Sequence, residues 1–154
     1  MKLTSGQSNV SGKIALVTQQ SWIFNGTVRD NILIGSEFDK EWYSSVVENC
    51  ALARDLQLLG NGDLTEVGER GITLSGGQKQ RVAVARSIFQ SPSTILADEP
   101  VSSVDPARAA SLVKILLKVA EEEEATLLMS LHNLDLAIKH FPRIIDIRHV
   151  SIHY

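Results

Sequence analysis

The sequence predicts an α/β fold with a parallel sheet, on three observations. Short apolar runs, Ile14–Val17, Thr94–Ala97 and Thr126–Ser130, have the length of buried strands. Stretches of helical periodicity separate them. The alternation of strands and helices implies a parallel sheet.

In chain order, residues 1–11 are polar, serine-rich and without apolar period, and are expected to be a flexible leader. Ile14–Val17 is a strand that runs into the polar loop Thr18–Ser21. From Thr27 to Cys50, Val28, Ile32 and Leu33, then Trp42, Val46 and Val47, recur at helical spacing, with a break over Gly35–Asp39. A short helix is expected over Arg54–Leu59, before the loop Gly60–Gly62. A long helix follows Ser75, with Val82, Ala85, Ile88 and Phe89 on one face, and Pro92 stops it. The remainder alternates: strand Thr94–Ala97, helix from Pro106 to about Glu122, strand Thr126–Ser130, helix Leu134–Lys139 and strand Arg143–Ile147. Glu121–Glu124 oppose the dipole of a helix C-terminus and read as a solvated, fraying end.

The 154 residues suffice for one ordinary core, and the net charge of −3 does not favour a generic polyanion surface. Nucleic acid is therefore not an expected partner. Cys50 cannot form a disulfide within the chain and reads as a small buried hydrophobe, consistent with a reducing compartment. No apolar run reaches the ~18–20 residues that span a bilayer, so membrane contact is expected only through a partner.

Four places are candidates for chemistry. Leu74–Gln78 spell LSGGQ at the start of the long helix. Its glycines allow a ligand close to the backbone, and the first-turn amides with the Ser75 hydroxyl offer donors to an anion. Ser75 with Gln78 three residues on is equally a capping box, and the two readings are compatible. Asp98 and Glu99 close an apolar strand at the end where open α/β sheets bind ligands. One acid there can serve Mg²⁺ and the next can orient or deprotonate water; a solvated acidic turn is the bland alternative. Asp105 before Pro106 has the form of an N-cap with proline in the first turn. His132, just before a helix, is by itself more often a structural histidine.

Taken together, these elements resemble the nucleotide-binding domain of ABC transporters over nearly all of residues 12–147. Gln19 matches the Q-loop, Leu74–Gln78 the signature, Asp98 and Glu99 the Walker B pair, Ser102–Asp105 the D-loop and His132 the switch histidine. The resemblance implies a partial RecA-like P-loop NTPase core with an ABC-type helical subdomain. Residues 12–25 would form the first strand and Q-loop, 26–91 the helical subdomain and signature helix, and 92–154 the second part of the core. It implies ATP and Mg²⁺ as cofactors. Glu99 would act as general base, Asp98 and Gln19 on Mg²⁺, and His132 on the γ-phosphate. Ser75, Gly76, Gly77 and Gln78 would act in trans, on nucleotide held by a second ATPase domain, and Asp105 would communicate across that dimer. A transmembrane transporter subunit would be met through Thr65–Gly71 and the Q-loop region, placing the chain in the cytoplasm, peripheral to a membrane.

Two features depart from the family. The chain holds no G-x-x-x-x-G-K-[ST] loop: Gly12 and Lys13 are preceded by Gln7 where glycine is needed and followed by Ile14 where a hydroxyl is needed. ATP binding by the isolated chain is thus expected to be weak or absent, the sheet to have an open edge, and stability to be marginal. In addition, residues 12–90, with Trp22–Thr27 and TEVGERG (Thr65–Gly71), resemble the multidrug-resistance-associated exporter branch, whereas residues 92–148 resemble phosphonate-type importer ATPases. The functions weighed are an ABC-type ATPase module of a membrane transporter and, alternatively, a non-catalytic dimerisation module that supplies LSGGQ to an intact partner. A chromosome-maintenance or repair head is disfavoured, because one short helical segment without heptads joins Gln19 to Leu74.

Overall fold

The three apolar runs form one parallel sheet in a computed structural model that describes residues 11–101 and 106–146. Strands β1 (Ile14–Val17), β2 (Thr94–Ala97) and β3 (Thr126–Met129) lie in the order β1-β2-β3. Thr94 pairs with Ile14 on one side and Thr126 on the other, and Ala97 with Val17 and Met129, so all three strands end together. Between β1 and β2 come α1 (Val28–Leu33), α2 (Lys40–Asn49), α3 (Ala53–Leu58) and α4 (Gly76–Phe89), with short 3₁₀ turns at Gly62–Leu64 and Glu69–Gly71. Helix α5 (Pro106–Glu122) joins β2 to β3, and α6 (Leu134–His140) follows β3.

Helices α1, α2, α4 and α6 start where a side chain satisfies a free amide. The Thr27 hydroxyl accepts from the Asp30 amide at 3.0 Å, and Asp30 accepts from the Thr27 amide at 2.9 Å, closing a capping box on α1. The hydrogen bonds from the Thr27 hydroxyl and amide hold the Asp30 carboxyl below its ordinary pKa. Asp39 accepts from the Trp42 amide to start α2, and Asn133 from the Leu136 amide to start α6. Helix α4 ends at Phe89, whose carbonyl accepts from the Trp42 indole at 3.0 Å.

The core lies on one side of the sheet. Ala15, Val17, Ile95 and Ala97 face inward against α4 and α5, together with Val84, Ile88, Leu116 and Val119. Cys50 belongs to this core and is fully buried, and burial pushes its thiol up to about 12. The other side of the sheet is exposed: Leu16 and Leu128 are 58% and 59% accessible. Parallel sheets are ordinarily covered on both faces; here the helices of the described residues cover one.

That asymmetry sets an expected stability contrast. Ile95→Ala, at a site 1% accessible, is expected to cost ~2–4 kcal/mol, and Leu128→Ala less than ~0.5 kcal/mol, measured by urea unfolding. Equal losses would show that the Leu16–Leu128 face is covered in solution.

The strands over Ile14–Val17 and Thr94–Ala97 and the helix Pro106–Glu122 fall where the sequence places them. Lys13 leads into strand β1 and not into a helix. The strand expected over Arg143–Ile147 is not formed: residues 143–146 carry no strand, and Ile147 lies outside the described residues. The apolar pair Ile144 and Ile145 gave the signal, but a strand exists through its ladder, and this segment lies against neither sheet edge. Asp105 and the rest of the D-loop also lie outside the described residues.

Candidate functional site

Because the strands are in register, the residues just beyond them are brought together. Gln19 comes two residues after Val17, Asp98 and Glu99 directly after Ala97, and Ser130 and His132 one and three residues after Met129. Two further backbone bonds extend the ladder into this region: the Asp98 amide donates to the Val17 carbonyl at 2.8 Å, and the Ser130 amide to the Ala97 carbonyl at 2.9 Å.

Glu99 is the hub. Its Oε2 accepts from Gln19 Nε2 at 3.3 Å, and its Oε1 lies 2.5 Å from His132 Nε2. Both carboxylate oxygens are thus directed by a neighbour, one from the end of each flanking strand. The Glu99 backbone is left-handed, with φ of 44°, a conformation costing a non-glycine residue ~1–2 kcal/mol. His132 is mostly exposed while the Glu99 side chain is three-quarters covered, so the pair sits at the mouth of the cluster.

The carboxylate turn is anchored from two sides by residues that sequence reasoning passed over. The Ser130 hydroxyl bonds both to Asp98 Oδ1 and to the Glu99 amide. From α4, buried Gln80 donates through Nε2 to the Pro100 carbonyl at 2.8 Å. Neither residue belongs to a recognisable motif. The sequence marks Ser130 only as a strand end, and nothing in it singles out Gln80.

The signature segment forms a separate construction. Ser75 and Gln78 make the capping box: the Ser75 hydroxyl accepts from the Gln78 amide at 3.3 Å, and Gln78 Oε1 accepts from the Ser75 amide at 2.8 Å. Gln78 Nε2 also donates to Asp55, which pairs with Arg81 at 2.6 Å, tying α4 to α3. As the first two residues of α4, Gly76 and Gly77 have amides without a partner inside the helix. A Cβ built on Gly76 meets nothing within 4 Å. The hydrogen bonds of Ser75 and Gln78 run to one another and to Asp55, not to Asp98, Glu99 or His132.

The segment after Gln19 is clamped to α1 and α4. Arg86 is 8% accessible and donates to the Trp22 carbonyl at 2.7 Å, the Asn31 carbonyl at 2.6 Å and Asn31 Oδ1 at 2.8 Å. Its guanidinium stacks 4.9 Å from the Trp22 ring centre. Burial lowers its pKa. Asn31, fully buried, accepts from the Phe24 amide and donates to the Phe24 and Thr27 carbonyls. Thr65–Gly71 packs on the same segment, the Val67 amide donating to Gly26 and the Val28 amide to Thr65.

Among the described residues, no group of three His, Cys, Asp or Glu side chains is placed to enclose a metal. Asp98 with Ser130 suits a cation that brings most of its own shell, as Mg²⁺ does with water and phosphate oxygens. No helix of the described residues is long and apolar enough to cross a membrane.

Comparison with known proteins agrees with this architecture. The family model described as ABC transporter matches residues 2–102. The mouse ATP-binding cassette sub-family C member 4 is 48% identical over 126 residues, covering 82% of this chain and 10% of that protein. Its human counterpart is 46% identical, covering 81% and 9%. The Arabidopsis thaliana ABC transporter C family member 9 is 54% identical over 100 residues, covering 65% and 7%. The chain thus spans about a tenth or less of the length of these relatives. It belongs to the ABC transporter family, with the nucleotide-binding domains of the multidrug-resistance-associated branch.

Proposed function

We propose that this chain is an ATP-hydrolysing module of a membrane transporter whose own nucleotide site is incomplete within these 154 residues. The observation that carries the reading is the Glu99 carboxylate, held by Gln19 and His132 where three parallel strands end together. A carboxylate so oriented is suited to take a proton from an attacking water. His132, at the exposed mouth, would meet the phosphate that the water attacks, and Gln19 would keep the water aligned. Asp98 would hold Mg²⁺, which when bound neutralises charge on the transferring phosphoryl group. Among the described residues, Gly12 and Lys13 lead into β1, which supports a site without its own amide cradle and lysine for the phosphates. Contact with a transmembrane subunit is assigned to Thr65–Gly71 and the Q-loop region, which pack together beside Arg86. In that arrangement the chain works in the cytoplasm, at the membrane surface.

The test is Mg–ATP turnover. The purified chain is expected to hydrolyse ATP at background rate, with Glu99→Gln making no difference. Joined to an upstream segment that carries a phosphate loop, it is expected to gain turnover, and Glu99→Gln to lower that by ~100-fold or more. Robust turnover by the chain alone, abolished by Glu99→Gln, would overturn the incomplete-site reading.

A second reading is a non-catalytic dimerisation module that presents LSGGQ to an intact ATPase domain. The free first-turn amides of α4 and the open space at Gly76 favour it. The two readings share the action of Ser75, Gly76, Gly77 and Gln78 on a partner's nucleotide, and differ in whether Glu99 matters.

A further inference from the structure

We propose that Ser130 is the positioning residue of the carboxylate pair, fixing Asp98 by its side chain and Glu99 by its backbone. The register of β2 and β3 puts Ser130 beside Asp98, one step past the Ala97–Met129 pair, and its own amide continues the ladder to the Ala97 carbonyl. Its hydroxyl then makes two bonds of defined direction. The Glu99 amide can only donate, so the hydroxyl oxygen accepts from it at 2.8 Å. The hydroxyl proton is left for Asp98 Oδ1, at 2.9 Å.

Two consequences follow. Asp98 has one oxygen engaged, and the carboxylate is held in a single orientation with Oδ2 available to a cation. Glu99 is held in its left-handed backbone conformation, which directs its side chain to Gln19 and His132. Ser130 is exposed. A solvent-accessible hydroxyl contributes little to global stability, so its effect is on local geometry and separates from folding. The inference rests on the proposed function only for what the two carboxylates do, not for how they are held.

Amide hydrogen exchange by NMR on the whole chain tests it. Ser130→Ala is expected to speed exchange of the Glu99 amide by roughly tenfold or more. Exchange of the Asp98 amide, bonded to the Val17 carbonyl, and the melting temperature should stay near their parent values. Ser130→Thr, which keeps the hydroxyl, is expected to restore slow exchange at Glu99. An unchanged Glu99 amide in Ser130→Ala overturns the proposal, as does Ser130→Thr behaving like Ser130→Ala. General acceleration with a lowered melting temperature also overturns it, by showing a structural role. Mn²⁺, as a paramagnetic probe for Mg²⁺, supplies the second arm. Broadening of the Asp98 side-chain resonances is expected in the parent, with several-fold more Mn²⁺ needed in Ser130→Ala. The expected exchange response without broadening in the parent supports the positioning of Ser130 and overturns Asp98 as the metal residue.

Discussion

Arg86→Met is expected to lower the unfolding free energy by ~3–5 kcal/mol, the largest loss from a single polar side chain among the described residues. The cause is what remains. Arg86 serves the Asn31 carbonyl and Asn31 Oδ1, both buried, and the part-buried Trp22 carbonyl, all neutral acceptors. Removing their donor leaves the buried Asn31 groups under-bonded, and removes the cation stacked on Trp22. In a domain of this size the loss corresponds to a melting-temperature drop of roughly 10 °C. Arg86→Lys keeps the charge but not the planar fork that reaches several acceptors at once, so an intermediate loss is expected. The same change should release the Trp22–Thr27 segment, shifting Trp22 fluorescence before global unfolding. Arg86→Met within ~0.5 kcal/mol of the parent, a typical neutral surface value, would contradict this account of the clamp.

The clamp also shows what a sequence can and cannot disclose. β1, β2 and α5 were legible because apolar run length, Pro92 and Pro106 mark their bounds through local chemistry alone. The Ser75–Gln78 box was legible for the same reason, both partners lying within one turn. Asp98, Glu99, Gln19 and His132 could be named individually, but their meeting depends on the strand register, which the sequence does not state. Ser130, Gln80 and Arg86 were missed because their partners are 31, 20 and 55 or 64 positions away. A serine at a strand end, or a glutamine or arginine in a helix, reads locally as a solvated residue. Residues 143–146 failed in the opposite sense: the local pattern is strand-like, and no edge receives it.

Replacement of Ser75 is expected to have the largest functional effect, and its design must separate capping from recognition. Ser75→Arg puts a bulky side chain against any bound phosphate but also removes the N-cap of α4, at a cost of ~1 kcal/mol. Ser75→Asp keeps a good N-cap and sets a carboxylate against the phosphate, so the helix is retained while an anion is repelled. Both variants are expected to abolish ATP-dependent pairing with an intact ATPase domain. Only Ser75→Arg should lower the melting temperature. Glu99 lies outside the Ser75–Gln78–Asp55 construction, and Glu99→Gln should leave pairing in place.

The most direct measurement is therefore ATP-dependent association of this chain with an intact family ATPase domain, followed by sedimentation in the presence and absence of Mg–ATP. The account predicts association with ATP for the parent and for Glu99→Gln, and none for Ser75→Asp. Association that survives Ser75→Asp and is lost in Glu99→Gln would contradict it, because the chain would then be working on its own nucleotide and not on its partner's.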